Sequence, residues 1–303
     1  MEYVIAAYTD VGVKKAVNQD SLCVRRAVIP DVGETVLAVV CDGMGGLAMG
    51  ELASATVVNA FGRWFDRHFP ILPTICGSDF SQIRAQWLVL IDECHHAMLD
   101  YSAANCVQLG TTVSTFFAYS DHYITLTIGD SRIYERTGRL TQLTQDQSLV
   151  AREIVAGRIS EEESRHHPQR NVLLQCVGVG GEIVPAFTEG RVRHDALYLL
   201  CSDGFVHELS PEEIGNRLQA TLLNSKDDLT HALCDLTELC KGRGETDNIT
   251  AVLVKASESK RLVKLSPLKN LRTRFRGQKD ATQKEELVET AQIVHTQEAI
   301  GLD

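Results

Sequence analysis

Long apolar runs are missing from this sequence of 303 residues, and none approaches the roughly 18 residues that a membrane-spanning helix requires. Nine cysteines are present, but there is no Cys-x-x-Cys pair, which argues against both a zinc site and a disulfide framework. Three of them, Cys41, Cys176 and Cys201, lie inside apolar runs, where a free thiol packs as a small hydrophobe. The first residues include Glu2 and Asp10, which is unlike a signal peptide. We therefore expect a cytoplasmic protein with no membrane partner.

Basic residues are fewer than acidic ones. The chain has 30 Lys and Arg against 40 Asp and Glu, a formal net charge of -10 at pH 7. Proteins that bind a phosphate backbone present a basic face, so we expect no nucleic-acid partner. The hydrophobic fraction of 44% is typical of a soluble globular protein with a substantial core.

Three aspartates lie at the ends of short apolar runs. Asp42 follows the run Val36–Cys41 and precedes Gly43, and Asp203 and Asp247 lie at the ends of two later runs. An apolar run that stops at an acid and glycines predicts a buried strand that delivers a carboxylate to a loop where the backbone can approach a ligand closely. One such aspartate is typical of a turn, but three indicate ligands of a shared ion.

The ligands of such a site are oxygens, because no set of cysteines and histidines accompanies the aspartates. Oxygen ligands favour hard cations such as Mg2+ or Mn2+ over zinc. Asp42 can bridge two ions, the Gly43 carbonyl can add an oxygen, and Asp203 and Asp247 can complete one shell. Two ions about 3.5 to 4 Å apart can hold a water, lower its pKa and orient it towards a phosphoryl group. The aspartates therefore favour phosphoryl-group chemistry.

Hydrophobic periodicity and turn signals predict the other elements. Capping patterns of serine followed by acids mark the starts of the later helices. The predictions are strands at 3–9 and 36–41, helices over Glu51–Phe69 and about Ser81–Ala104, an antiparallel meander over 111–144, an excursion off the sheet at 145–176, and helices that begin at Ser210 and Ser225.

The character of the chain changes at Ser257. Between Lys260 and Lys279 there are eight Lys or Arg and no acid, and the stretch Asp280–Glu298 is polar with weak helical periodicity. We therefore predict a domain at 1–256 and a basic, then polar, C-terminal extension at 257–303. The extension can be a solvated linker, a docking segment or an anion-binding arm that folds on binding.

Six short motifs follow one another along the domain. They are Asn18-Gln19-Asp20, Asp42-Gly-Met-Gly-Gly46 with Gly50-Glu51, Gly110-Thr111-Thr112, Gly129-Asp130-Ser131-Arg132, Ser202-Asp203-Gly204 and Asp247-Asn248-Ile249-Thr250. In this order they resemble the bacterial branch of the metal-dependent protein phosphatases, the type 2C-like or PPM family. The resemblance covers about residues 3–256, and six ordered motifs are far more specific than any one of them.

The resemblance implies an α+β fold, a four-layer αββα sandwich of two antiparallel β-sheets flanked by helices, with the metal centre between the sheets at their ends. It also implies a protein Ser/Thr phosphatase that hydrolyses phosphomonoesters by attack of a metal-bridging water. The expected cofactors are two Mn2+ or Mg2+ ions and, as in bacterial members, a weaker third ion. The expected partners are phosphorylated protein substrates and a cognate bacterial Ser/Thr kinase, and the protein is expected to be a monomer.

The resemblance also assigns roles to individual residues. Asp42, Asp203 and Asp247 match ligands of the first metal and would act in catalysis through metal-bound water. Asp42 and the Gly43 carbonyl match ligands of the second metal.

Further positions match less central roles. Asp20 matches an acid that holds metal-bound water, and Asp130 matches the weaker third-metal position, which it would share with Asp203. The excursion at 145–176 falls where the family has its mobile flap, and His167 and Arg170 would contact the protein substrate there.

The sequence departs from the family pattern at the positions of the phosphate-binding arginine and of a catalytic histidine. Lys15 replaces the arginine, so it brings charge without the bidentate fork and predicts weaker phosphate binding. Leu47 and Met44 occupy positions where other members have histidine, and His207 is a further candidate because it lies close to Asp203. An alkoxide leaving group needs a proton that nitrophenolate hardly needs, so we expect a preference for aryl phosphates.

Two other functions remain open at this level. A weakly active or inactive phosphoprotein-binding regulator on the same fold is favoured by Lys15, Leu47 and the basic tail, but the intact metal aspartates argue against it. A metal-dependent nuclease or phosphodiesterase would share the ion chemistry, but it fits the acidic domain poorly.

Overall fold

The structure, a computed structural model, describes residues 1–29, 32–44, 49–68, 79–165, 167–257, 287–293 and 299–301. The strands are β1 (Glu2–Asp10), β2 (Ser21–Ile29), β3 (Gly33–Cys41), β4 (Val113–Tyr119), β5 (His122–Ile128), β6 (Arg132–Arg136), β7 (Leu140–Gln142), β8 (Ala186–Arg191), β9 (Leu197–Cys201), β10 (Ile249–Ser257) and β11 (Leu287–Ile293). The helices are α1 (Gly50–His68), α2 (Ser81–Asn105), α3 (Leu149–Val155), α4 (Glu161–Arg165), α5 (Pro211–Arg217) and α6 (Lys226–Gly242). In the described part of the chain, no helix has both the length and the apolar character needed to cross a bilayer.

Two antiparallel sheets stack on each other. In the described residues one sheet has the order β11-β2-β3-β4-β5-β8 and the other has the order β1-β10-β9-β6-β7. Buried apolar side chains from both sheets fill the space between them. Phe116 on β4 and Tyr198 on β9 stack with ring centroids 4.6 Å apart, so the two sheets share one core.

Helices cover the outer face of each sheet. On the six-stranded sheet, Trp64 of α1 and Trp87 of α2 pack edge to face against Phe117 of β4. On the other sheet, α6 buries Leu229 and Leu233, which lie one turn apart and therefore on one face of the helix. The molecule therefore has four layers, and the predicted αββα sandwich is confirmed.

Strand register brings two predicted acids together in the six-stranded sheet. Ser21, the first residue of β2, lies opposite Cys41, the last residue of β3. Asp20 directly precedes β2 and Asp42 directly follows β3. Antiparallel pairing therefore places both acids at the same end of this sheet.

Register does the same in the five-stranded sheet. Cys201, the last residue of β9, pairs with Arg132 near the start of β6 on one side and with Ala251 near the start of β10 on the other. The acids that flank these three strand ends are Asp130, Asp203 and Asp247. The three acids therefore share one end of the second sheet.

The C-terminal extension differs from its predicted character. Residues 287–293, within the stretch of weak helical periodicity, form β11, which pairs antiparallel with β2 at the edge of the six-stranded sheet. Further on, the N–H of Ile300 donates a hydrogen bond of 3.1 Å to Oγ1 of Thr56 on α1. Part of the extension therefore packs on the sandwich, whereas the basic segment Lys260–Lys279 lies outside the described residues.

Candidate metal centre

Backbone hydrogen bonds hold Asp42 at the end of β3. The Asp42 N–H donates to Oγ1 of Thr112 at 3.0 Å. Its carbonyl accepts from the Thr112 N–H and from the Thr111 hydroxyl, both at 2.9 Å. The two threonines of the third motif therefore fix the main chain from which the Asp42 carboxylate projects.

Gly43 lies where the first and second motifs meet, and a side chain would not fit there. Its N–H donates to the carbonyl of Gln19 at 3.1 Å. A Cβ atom on Gly43 would collide with the carbonyl oxygens of Gln19 and Gly50. Glycine at 43 is therefore required by this close approach of backbone to backbone.

Asp20 is fixed by the first residue of its own motif. The side-chain oxygen of Asn18 accepts from the Asp20 N–H at 3.1 Å, and its amide donates to Oγ1 of Thr9 at 2.8 Å. Asp20 itself is only 1% exposed. The motif therefore presents a buried carboxylate from a locally hydrogen-bonded turn.

Asn248 ties the Asp247 loop to the loop before Asp20. Its Oδ1 accepts from the Gln19 N–H at 2.9 Å, and its amide donates to the carbonyls of Val11 and Val17 at 2.9 and 3.2 Å. The bond to Gln19 links the start of β10 in one sheet to the residues before β2 in the other. It holds the acids of both sheets at a common end of the sandwich.

Asp130 enters the site from the turn between β5 and β6. Gly129 precedes it with φ of +100°, a backbone conformation that favours glycine. Ser131 follows it and shares a 2.7 Å hydrogen bond with the hydroxyl of Thr112. This bond joins the Asp130 turn to the residue that also holds Asp42.

The grouped carboxylates disfavour one another's charge. Burial, then the charges of Asp20, Asp203 and Asp247, raises the pKa of Asp42 well above its usual range. Burial raises the pKa of Asp20 to about 7, and the charges of Asp203 and Asp247 add to the rise.

Asp130 behaves in the same way. Burial raises its pKa to about 8, and the charges of Asp203 and Asp146 add to the rise. A cluster of this kind is stabilised by a cation among the carboxylates.

Bare oxygens give a second indication that a cation fits. Both carboxylate oxygens of Asp20 and Oδ1 of Asp203 are buried and, among the described residues, have no partner in good hydrogen-bond geometry. Buried polar atoms are nearly always paired, so these oxygens suit a hard cation. Within the described residues, no group of three or more acid, histidine or cysteine side chains is arranged so that it could hold a metal ion as it stands. The fit therefore depends on the donor chemistry and on the bare oxygens.

Lys15 lies at the edge of this cluster. Its Nζ is 2.7 Å from Oδ1 of Asp247, and its side chain is 30% exposed. Burial lowers the pKa of Lys15, but the hydrogen bond and charge of Asp247 raise it more, so the pKa lies above its usual value. The candidate phosphate-binding residue is therefore positively charged and beside the carboxylates.

Sequence reasoning missed the environment of His207. Its Nε2 lies 3.3 Å from Oδ2 of Asp203 and its Nδ1 lies 3.2 Å from Oε2 of Glu245. Burial lowers the pKa of His207, but the two carboxylates raise it to about 9. Glu245 was not a candidate at all, because an acid outside the motifs gives no signal until its partner is known.

The predicted flap forms one wall of a cleft beside the acids. Arg132 of β6 makes an ion pair with Asp146 at 2.6 Å, which anchors the start of the flap. The cleft has a volume of about 470 Å³, and its lining includes Asp130, Asp203 and Arg170. His167 does not belong to that lining and instead accepts a hydrogen bond from the Gln169 N–H at 3.1 Å.

The prediction that concerns Leu47 lies outside the described residues, as do Gly45 and Gly46 of the second motif. Met44, the other position at which family members have histidine, is described and donates its N–H to the carbonyl of Gly110 at 3.0 Å.

An αββα sandwich with bare carboxylate oxygens at one end of its sheets fits the class of metal-dependent phosphatases. The family model for protein phosphatase 2C matches residues 12–253, and the chain belongs to this family. The fold, the family and the phosphatase function predicted from the motifs are therefore confirmed.

Relatives and solved structures agree with this assignment. Protein phosphatase PhpP of Streptococcus pneumoniae is 31% identical over 256 residues, covering 84% of this chain and 98% of that protein. Serine/threonine protein phosphatase PstP of Mycobacterium tuberculosis is 32% identical over 255 residues, covering 82% of this chain and 44% of PstP. The crystal structure of PstP has a TM-score of 0.70 at 29% identity, covering 85% of this chain and 100% of that one. The PstP catalytic domain in complex with two manganese ions has a TM-score of 0.65 at 28% identity, with the same coverage.

Proposed function

We propose that this chain removes phosphate from phosphoserine and phosphothreonine in proteins and that divalent metal ions are its cofactor. The observation that carries the proposal is the convergence of Asp20 and Asp42 from one sheet with Asp203 and Asp247 from the other. Membership of the protein phosphatase 2C family supports the same reaction.

Two bound Mn2+ or Mg2+ ions would supply a water of lowered pKa and would offset the charge of the phosphoryl group. PstP, whose catalytic domain has been crystallised with two manganese ions, supports this number for the present chain. The proposed ligands of the two ions are the carboxylates of Asp42, Asp203 and Asp247 and the carbonyl of Gly43. Asp20 would act through a water. Asp130 and Asp203 would hold a weaker third ion. The bare oxygens of Asp20 and Asp203 support this set.

The remaining roles concern the substrate. Lys15 binds the substrate phosphate, since its ammonium group lies beside the carboxylates that would hold the ions. Arg170 contacts the protein substrate from the flap at 145–176, because it lines the cleft that contains Asp203. His167 takes a more peripheral part in the same contact.

Other parts of the proposal concern the cellular setting. The substrates are targets of a cognate Ser/Thr kinase, and the protein acts in the cytoplasm as a monomer. The phosphatase domain is 1–256, to which the extension 257–303 contributes β11.

The test is phosphate release from a phosphothreonine peptide with Mn2+ added or chelated. We expect release only with metal, and we expect Asp203→Asn to lower kcat/KM on the order of 100-fold or more, which corresponds to about 2.7 kcal/mol of transition-state stabilisation. Asp100→Asn, an exposed acid on α2, is the matched control and should behave as wild type. Binding of phosphoprotein without turnover, or cleavage of diesters only, would contradict the proposal.

A further inference from the structure

Glu245 is a buried acid whose two oxygens hold different parts of the molecule. Its side chain is only 2% exposed. Oε1 accepts from the main-chain N–H groups of Thr246 and Asp247 at 2.6 and 2.8 Å, and Oε2 lies 3.2 Å from Nδ1 of His207. Glu245 therefore fixes the loop that carries Asp247 and the ring of His207 at the same time.

His207 continues this chain of contacts to a second carboxylate. It lies one helical turn after Asp203, and its N–H donates to the Asp203 carbonyl at 3.0 Å. The turn brings the ring back over the acid, with Nε2 3.3 Å from Oδ2. Oδ1 of Asp203 has no partner in good hydrogen-bond geometry among the described residues. One oxygen of the Asp203 carboxylate therefore forms an ion pair with His207, and the other oxygen is bare.

We propose that His207 and Glu245 form a positioning pair that orients Asp203 for metal binding, with His207 holding Oδ2 so that Oδ1 faces the ion. Glu245 keeps the ring in place and couples it to the loop of Asp247, the other predicted ligand from this sheet. The inference rests on the proposed function, because it concerns the ions of that site. Neither residue is a proposed metal ligand.

Packing alone is the competing explanation for the pair. A packing role requires side chains of similar size, whereas a positioning role requires a hydrogen-bond donor opposite Oδ2 of Asp203. His207→Leu removes the donor at comparable volume, and His207→Gln restores an N–H donor. Glu245→Gln keeps the shape of the side chain and removes the charge that holds the ring.

The test is calorimetric titration of Mn2+ into the full chain and its variants. Loss of a group that orients a metal ligand typically weakens metal affinity about 10 to 100-fold. We expect His207→Leu to weaken Mn2+ binding at least about tenfold and His207→Gln to recover most of it. His96→Leu, which changes an exposed histidine on α2, should bind Mn2+ as wild type does.

The design separates failure of the pair from failure of the site. If the wild type does not bind Mn2+, the proposed function fails. If the wild type binds and His207→Leu binds as tightly or more tightly, or if His207→Gln is as weak as His207→Leu, the positioning role is overturned.

Glu245→Gln adds an independent criterion. Its effect on Mn2+ affinity should disappear in the His207→Leu background, because it acts through the ring, and additive effects would overturn the pair. Thermal melting in EDTA identifies a variant that does not fold. If His207→Leu does not fold, the titrations of His207→Gln and Glu245→Gln decide whether the pair has a positioning role.

Discussion

The Nζ of Lys15 lies 2.7 Å from Oδ1 of Asp247, so the predicted phosphate ligand is already paired with a predicted metal ligand. Asn248 fixes this arrangement, because it binds the backbone of the 11–19 loop on both sides of Lys15. The pair offsets part of the negative charge of the cluster. It also keeps the ammonium group within reach of a phosphate that approaches the carboxylates.

Substitution of Lys15 tests its role in phosphate binding. A hydrogen bond to a charged group is worth about 1.5 to 3 kcal/mol, so we expect Lys15→Met to raise KM for a phosphopeptide about tenfold. We expect Lys15→Arg to lower KM, because the guanidinium group adds bidentate geometry. Steady-state kinetics at saturating Mn2+ measure both effects without interference from altered ion affinity.

Lys14→Met is the control for this prediction. Lys14 is the exposed neighbour of Lys15, so its removal changes the net charge equally without touching Asp247. An unchanged or higher KM in Lys15→Arg would mean that Lys15 does not bind the phosphate.

The metal-free protein should lose stability as the pH rises. The folded state raises the pKa of Asp20 to about 7 and that of Asp130 to about 8, so both stabilise the fold when protonated and lose this contribution as the pH rises through those values. His207, with a pKa of about 9, loses the contribution of its charged form in the same direction. We expect a lower Tm in EDTA at about pH 8.5 than at about pH 6.

Two comparisons isolate the carboxylates in this measurement. Asp130→Asn should reduce the difference in Tm between the two pH values, whereas Asp100→Asn should retain the full difference. Added Mn2+ should raise Tm more at the higher pH, where the carboxylates are charged. A Tm in EDTA that rises with pH would show that these shifts do not govern stability.

Gly43 is expected to tolerate no side chain. The Cβ of Gly43→Ala would meet the backbone carbonyls of Gln19 and Gly50, so we expect a loss of about 1 to 3 kcal/mol in the free energy of unfolding. Mn2+ affinity should fall as well, because the Gly43 carbonyl is a proposed ligand. Gly138→Ala is the control, since a Cβ there meets nothing within 4 Å among the described residues. Chemical denaturation and Mn2+ titration of both variants provide the comparison.

The ratio of aryl to alkyl phosphate hydrolysis tests for a missing general acid. Met44 and Leu47 replace histidine, and nitrophenolate leaves with little need for a proton. The relevant quantity is kcat/KM for p-nitrophenyl phosphate divided by kcat/KM for a phosphothreonine peptide. We expect this ratio to be higher in the present protein than in a relative that has histidine at one of these positions. Met44→His should shift the ratio towards the peptide. Equal ratios in the two proteins would exclude this explanation.

The C-terminal strand should stabilise the sandwich. β11 is an edge strand of the six-stranded sheet and pairs with β2, so its removal exposes unpaired backbone groups of β2. We expect a chain that ends at Ser257 to have a lower Tm, by about 2 to 4 °C for each kcal/mol lost in a domain of this size. A chain that ends at Glu286 retains the basic segment and lacks the strand, so it should show the same decrease. Equal Tm values for all three chains would show that β11 adds no stability.

Local signals in the sequence predicted much of the fold. The helix at Ser210 begins with a capping box, as predicted, because a cap needs only residues three apart. The strands β2 and β8 carried no strand prediction. In β2, Arg25 and Arg26 interrupt the apolar pattern and form ion pairs with Asp66 and Glu34, which lie on other elements. Such partners cannot be identified from the strand alone.

The sequence by itself determined which carboxylates end apolar strands, where the helices begin and which family pattern the motifs follow. Only the tertiary structure decided that Lys15 pairs with Asp247, that Glu245 reaches Asp203 through His207, and that part of the extension returns as β11. The physical reason is that periodicity reports whether a residue is buried, whereas strand register over long sequence separations determines which residue it meets.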